Sequence, residues 1–163
     1  GEEIAAMTSA GIEVKVVPGI TTASAMAASL NVSLTHRACA QSLRFVTAHG
    51  ARGDLPIDLD WGGLADETTT LIVYMGGRTG GDFAARLMKQ GRAGSTPIVV
   101  VENVSRDGQA SHFGTLAGLS QLLAERQSEG PVVIAIGEVF EGLAARETRP
   151  AGFVGVALGD AIG

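Results

Sequence analysis

Cysteine is almost missing from this sequence. The 163 residues include one, Cys39, with one tryptophan, one tyrosine and five phenylalanines. A lone cysteine forms no internal disulfide, which excludes a stapled secreted scaffold and fits a reducing cytoplasm. No motif sets a base beside Cys39, so it reads as a small packing residue rather than a nucleophile. Long apolar runs are also lacking: stretches such as Val132 to Ile136 fall far below the roughly 18 residues of a membrane helix. The opening, GEEIAAMTSAGIE, has neither a basic nor an apolar region of the kind a signal peptide needs. His36, His49 and His112 show no metal-ligand spacing, and no cysteine or carboxylate cluster completes a site, so no metal is expected. No Ser-His-Asp order stands out either. Positive charge is in deficit. The formal net charge is -5 and the pI about 5.1, which argues against nucleic acid or an anionic membrane as a general partner.

What is present suits a globular fold. Hydrophobic residues make up 45% and charged residues 18%, with mean hydropathy +0.26, and the length allows one ordinary domain with a real core. Val14 to Arg37, VKVVPGITTASAMAASLNVSLTHR, organises the first part. Val14 to Val17 is predicted as a parallel strand, ended by Pro18, which keeps Val17 out of the helical region. Gly19 permits a sharp turn, and a helix follows from Thr22 to Leu30, with Asn31 as its left-handed stop. A strand, a Pro-Gly turn and a helix start leave hydroxyls and N–H groups at the carboxyl end of a sheet, where open α/β folds bind ligands.

The rest reads as α/β. A short helix over Glu2 to Ala10 is closed by Gly11. Strands are predicted at Ser42 to Thr47, Thr68 to Met75, Pro97 to Glu102, Ser111 to Leu116 and Pro131 to Ile136, with helices at Asp82 to Gln90 and Leu119 to Gln127 and a short one at Trp61 to Ala65. The loop from Asn103 to Ala110 is too short for a helical crossover, so the strand after it should return antiparallel. The outcome is a mixed five-stranded sheet with helices on its faces. A partial helix is expected near Glu141 to Arg146, followed by poor order. The segment GGRTGGD, Gly76 to Asp82, lies between a strand and a helix, but it has no P-loop lysine and not the G-x-G-x-x-G spacing, so a phosphate cradle is not expected there.

Three linked blocks, VVPGITTAS, SLTHR and AQSLRFVTAHG, resemble the uroporphyrinogen-III C-methyltransferases within the tetrapyrrole methylases. The family forms are close to VVPGITAAS, PLTHR and AQSV-FVTGH, so Thr22 and Ala48 depart slightly. The likeness continues more weakly through LIVYMG, PIVVVENVS and GPVVIAIGEV, and covers Gly1 to Val139. It implies the end of a parallel-sheet amino-terminal lobe over residues 1–34, a complete mixed-sheet lobe over 35–140, and a tail over 141–163. It further implies S-adenosylmethionine as methyl donor, S-adenosylhomocysteine as its product, and uroporphyrinogen III as substrate.

By that resemblance Thr21, Thr22, Met75 and Val104 contact the donor, while Glu2, Arg37 and Met75 face the tetrapyrrole. Val104 stands where some relatives have glycine, which a backbone contact tolerates. His36, Arg37, Arg44, His49 and Arg52 fall in an acid-free stretch, and only Lys15 and Lys89 of the twelve basic residues are lysines. Arginine's planar fork suits carboxylates, so a polycarboxylate substrate fits such a patch. The implied reaction moves two methyl groups to carbon, giving precorrin-2 on the route to sirohaem and cobalamin, in a cytoplasmic homodimer. The residues that the family uses for proton transfer lie in an amino-terminal lobe that this sequence does not contain. No catalytic residue is therefore assigned, and the chain is expected to be a carboxyl-terminal part, inactive alone. Two alternatives are a methylase acting on a later precorrin and an α/β binding module without catalysis.

Overall fold

β-Branched and aromatic runs punctuated by glycine and proline produce five strands, and the apolar stripes between them produce helices. The computed structural model describes residues 1–50, 53–126 and 130–147, with residues 146 and 147 described by backbone only. Its elements are α1 (Glu2–Ser9), α2 (Thr22–Ser29), β1 (Ser42–Thr47), α3 (Trp61–Leu64), β2 (Thr69–Tyr74), α4 (Gly80–Lys89), β3 (Pro97–Glu102), β4 (Ala110–Thr115), α5 (Leu119–Ala124), β5 (Val132–Ile136) and α6 (Leu143–Glu147). Short 3₁₀ turns precede α5 and α6.

The strands form one mixed sheet in the order β1-β2-β5-β3-β4. β1 runs parallel to β2, and β5 lies antiparallel between β2 and β3. β4 returns antiparallel on β3, as its short connection requires. The carboxyl ends of β1, β2 and β3 therefore share one edge with the amino ends of β5 and β4.

Alternate residues of the central strands feed two cores. Leu71, Val73, Ile98, Val100, Ile134 and Ile136 face α3, α4 and α5, where Phe83 and Leu87 of α4 meet them. Ile72, Val99, Val101, Val133 and Ala135 point the other way, against Ala23 and Met26 of α2 and against Phe140 and Leu143. Both sheet faces are thus covered, which is why the central strands are near-continuous in Val and Ile. The start of β2 is tied down by Arg92, 2% exposed, whose guanidinium donates to the carbonyls of Asp66 and Thr69.

One expected element is absent. Val14 to Val17 has no strand pairing, and Val16 and Val17 are 71% and 81% exposed. Branched side chains favour an extended backbone, but a strand exists only where a neighbour completes its ladder, and no described residue does so. α1 likewise buries no residue. Asn31 does take the left-handed conformation expected of it, with φ 50°. The helix predicted over Leu119 to Gln127 ends earlier, at Ala124, and Gln127 and residues 148–163 lie outside the described residues.

Candidate functional site

The carboxyl edge of β1, β2 and β3 opens into a cavity of about 750 Å³. Each strand contributes through the residues just beyond its end: His49 after β1, Met75 after β2 and Val104 after β3. Thr22, at the start of α2, and Pro131 and Val132, at the start of β5 between β2 and β3, complete the lining.

Backbone geometry explains why these loops turn away from the sheet. Met75 and Asn103, the first residues beyond β2 and β3, have φ of 56° and 51°, and Ser105 has φ 60°. Left-handed conformations in non-glycine residues cost about 1–3 kcal/mol and persist where the surroundings fix them, most often around functional sites. Met75 is 57% exposed, so the strain brings a flexible apolar side chain to the cavity instead of the core.

The glycines after Met75 have a packing explanation. A Cβ on Gly76 would stand 2.7 Å from Ile134 Cδ1, one on Gly80 2.6 Å from Leu123 Cδ1, and one on Gly81 2.9 Å from Ser120 Oγ. Only a bare backbone lets the start of α4 approach β5 and α5 this closely. The Thr79 hydroxyl is also engaged internally, donating to the Ala48 carbonyl at 2.5 Å. GGRTGGD is thus a close-packed strand-to-helix turn.

Tyr74, the only tyrosine, ties the end of β2 to the start of α2 and was not singled out by sequence reasoning. Its hydroxyl accepts a 3.2 Å hydrogen bond from the Ala23 N–H in the first turn of α2. Its ring stacks on Phe45 at 6.3 Å between centroids. A lone polar aromatic ending an otherwise apolar strand was the available signal. Tyr74→Phe is expected to release α2 from the end of β2 and to lower the unfolding free energy by about 1 kcal/mol, measured by urea denaturation.

Beside the start of β5 lies a buried charge network. Glu102, 2% exposed at the end of β3, has Oε1 3.2 Å from Arg126 Nε and 3.1 Å from His112 Nε2. Arg126 Nη2 also donates to the Gly130 carbonyl at 2.9 Å. The pair holds Gly130, just before β5, and so the floor of the cavity.

The structure unites some of the predicted positions and separates others. Thr22, Met75 and Val104 line the same cavity. Thr21 does not; it caps α2, its Oγ1 accepting from the Ser24 N–H at 3.2 Å. Glu2 is exposed on α1, away from the cavity lining. Arg37 is exposed in a separate hollow formed by Ser33 to Gln41.

The basic stretch is dispersed too. Arg44 is 2.9 Å from Asp60, and that hydrogen bond, with a second from the Gly63 N–H, holds the Asp60 carboxyl below its ordinary value. His36 folds onto its own turn, with Nδ1 accepting from the Ala38 N–H. Only His49 of this stretch lines the cavity, and Arg52 lies outside the described residues. The connection from His36 to Ala40 bends back on itself and β1 then alternates its faces, so closeness in sequence did not become closeness in space.

Comparison with known proteins places this architecture. A siroheme synthase of Chromobacterium violaceum is 45% identical over 141 residues, spanning 86% of this chain and 30% of that protein. A uroporphyrinogen-III C-methyltransferase of Paracoccus denitrificans is 40% identical over 139 residues, spanning 85% of this chain and 48% of that protein. The chain therefore spans less than half the length of these two relatives. Among solved structures, the uroporphyrin-III C-methyltransferase of Thermus thermophilus complexed with S-adenosylhomocysteine superposes with a TM-score of 0.71 at 28% identity, over 85% of this chain and 58% of that one. A cobalt precorrin-4 methyltransferase gives a TM-score of 0.73 at 21% identity, a likeness of fold, over 83% of this chain and 56% of that one. The family model of the tetrapyrrole (corrin/porphyrin) methylases matches residues 1–120. By sequence and by fold alike, the chain belongs to the tetrapyrrole methylases.

Proposed function

We propose that this chain forms part of the donor cleft of an S-adenosylmethionine-dependent uroporphyrinogen-III C-methyltransferase. The observation that carries the reading is the convergence of Thr22, Met75 and Val104 on one cavity at the carboxyl edge of the sheet, positions that the sequence resemblance had marked independently. The residues fit the donor. About 750 Å³ lies within the 300–1,000 Å³ usual for small-molecule sites. Met75, Val104 and Val132 offer apolar contact for an adenosyl group, and Thr22 offers a hydroxyl.

Bound S-adenosylmethionine supplies a methyl group already activated by the sulfonium. The protein's part is then alignment and exclusion of water. Met75 and Val104 present apolar surface from the ends of β2 and β3, on either side of β5, Thr22 closes the side, and Tyr74 keeps that side in place. Arg37 is read as holding a carboxylate of the tetrapyrrole beyond the cleft, with Glu2 near it. The product is precorrin-2, in an enzyme acting as a homodimer. Calorimetric titration of the 163-residue chain with S-adenosylhomocysteine tests this reading. Saturable binding at one site is expected, and the absence of binding to the folded chain would count against it.

A further inference from the structure

The cavity carries more positive charge than a methyl donor requires. His49, Arg78, Arg106 and Arg126 all line it, and no aspartate or glutamate is among the described lining residues, although the chain as a whole has a net charge of -5. Arg126 is accounted for by its contact with buried Glu102. Arg78 and Arg106 are exposed at the rim and make no ion pair among the described residues. Arg78 and His49 also converge: a Cβ placed on Gly53 would lie 3.7 Å both from Arg78 Nη2 and from His49 Cε1.

Two guanidinium groups with no ion-pair partner among the described residues, gathered beside an imidazole at one opening of an acidic protein, form a local attractor for anions. We propose that His49, Arg78 and Arg106 form a carboxylate-binding subsite at the rim of the cleft. That the anion is a carboxylate rests on the methyltransferase reading, since the donor and a uroporphyrin-type substrate carry carboxylates and neither carries a phosphate. Guanidinium forks pair with carboxylates through parallel, charge-assisted bonds. The donor's amino-acid carboxylate and the carboxylates of the tetrapyrrole are two sources of the same chemistry.

The test uses the full chain and three probes: uroporphyrin III by fluorescence titration, and S-adenosylhomocysteine and methylthioadenosine by calorimetry. The last lacks the amino-acid carboxylate. Arg78→Gln and Arg106→Gln are each expected to weaken a carboxylate probe about fivefold, with the effect shrinking as ionic strength rises. Lys89→Gln removes an equal charge from the exposed end of α4 and is expected to change nothing. Weakened uroporphyrin binding with unchanged S-adenosylhomocysteine binding assigns the subsite to the tetrapyrrole. Weakened S-adenosylhomocysteine with unchanged methylthioadenosine assigns it to the donor. If the variants bind all probes like the unaltered chain, the subsite is refuted while the donor cleft stands. If the unaltered chain binds uroporphyrin but not S-adenosylhomocysteine, the donor reading fails and the uroporphyrin arm alone decides the subsite. A folded chain that binds no probe refutes both.

Discussion

Val104→Trp is expected to weaken S-adenosylhomocysteine binding by about thirtyfold or more, in a chain that still folds. Val104 is half-buried, lines the cavity, and sits between left-handed Asn103 and Ser105 in a turn with solvent on its outer side. Val104 lines the cavity on one side, so an indole there takes up space that a ligand would need. Overfilling a packed site costs about 1–3 kcal/mol, and about 2 kcal/mol corresponds to the stated loss at 1.4 kcal/mol per factor of ten. Val104 also packs against the second core, so some fall in melting temperature accompanies the change. Calorimetry and a thermal melt on the same sample read both quantities. Unchanged affinity with an intact fold would mean that the donor does not use this cavity.

Glu102→Ala is expected to be the most destabilising single change near the site, at about 3–5 kcal/mol, because removing one member of a buried ion pair strands its partner. Here the stranded group is Arg126, 3.2 Å from Glu102 and with a side chain 10% exposed. The damage should reach the cavity, since Arg126 also holds the Gly130 carbonyl at the turn into β5. Chemical denaturation measures the stability. A double-mutant cycle with Arg126→Met checks the mechanism: the second change should recover part of the loss, and strictly additive losses would contradict the coupling.

Much of the fold was legible because its signals are local. The apolar runs of β2, β3 and β5 and the stripe of Phe83 and Leu87 on α4 report burial directly, and the short loop after β3 dictates an antiparallel return. Val14 to Val17 shows where such reading stops. Residue type gives a preference for extended backbone, whereas a strand also needs a neighbour, and pairing is not written in the segment itself. Thr22, Met75 and Val104 were found through motif likeness; periodicity alone would have placed Met75 in the core, where methionines commonly lie. The roles of Tyr74 and Glu102 were invisible because each depends on partners distant in sequence, Ala23 and Phe45 for the first and Arg126 and His112 for the second. The basic stretch from His36 to Arg52 misled for the opposite reason. It looked like one patch, yet Arg44 turned to Asp60 and Arg37 to another hollow, while the rim arginines 78 and 106 came from loops far along the chain.

The most direct test of the donor cleft is a map of backbone amide chemical shifts in the isotopically labelled chain during titration with S-adenosylhomocysteine. The cleft assignment predicts saturable changes concentrated at Thr22, Tyr74, Met75 and Val104, with the hollow around Arg37 unmoved. Changes centred on Ser33 to Gln41 instead, or an unperturbed spectrum from a folded protein at millimolar ligand, would contradict it.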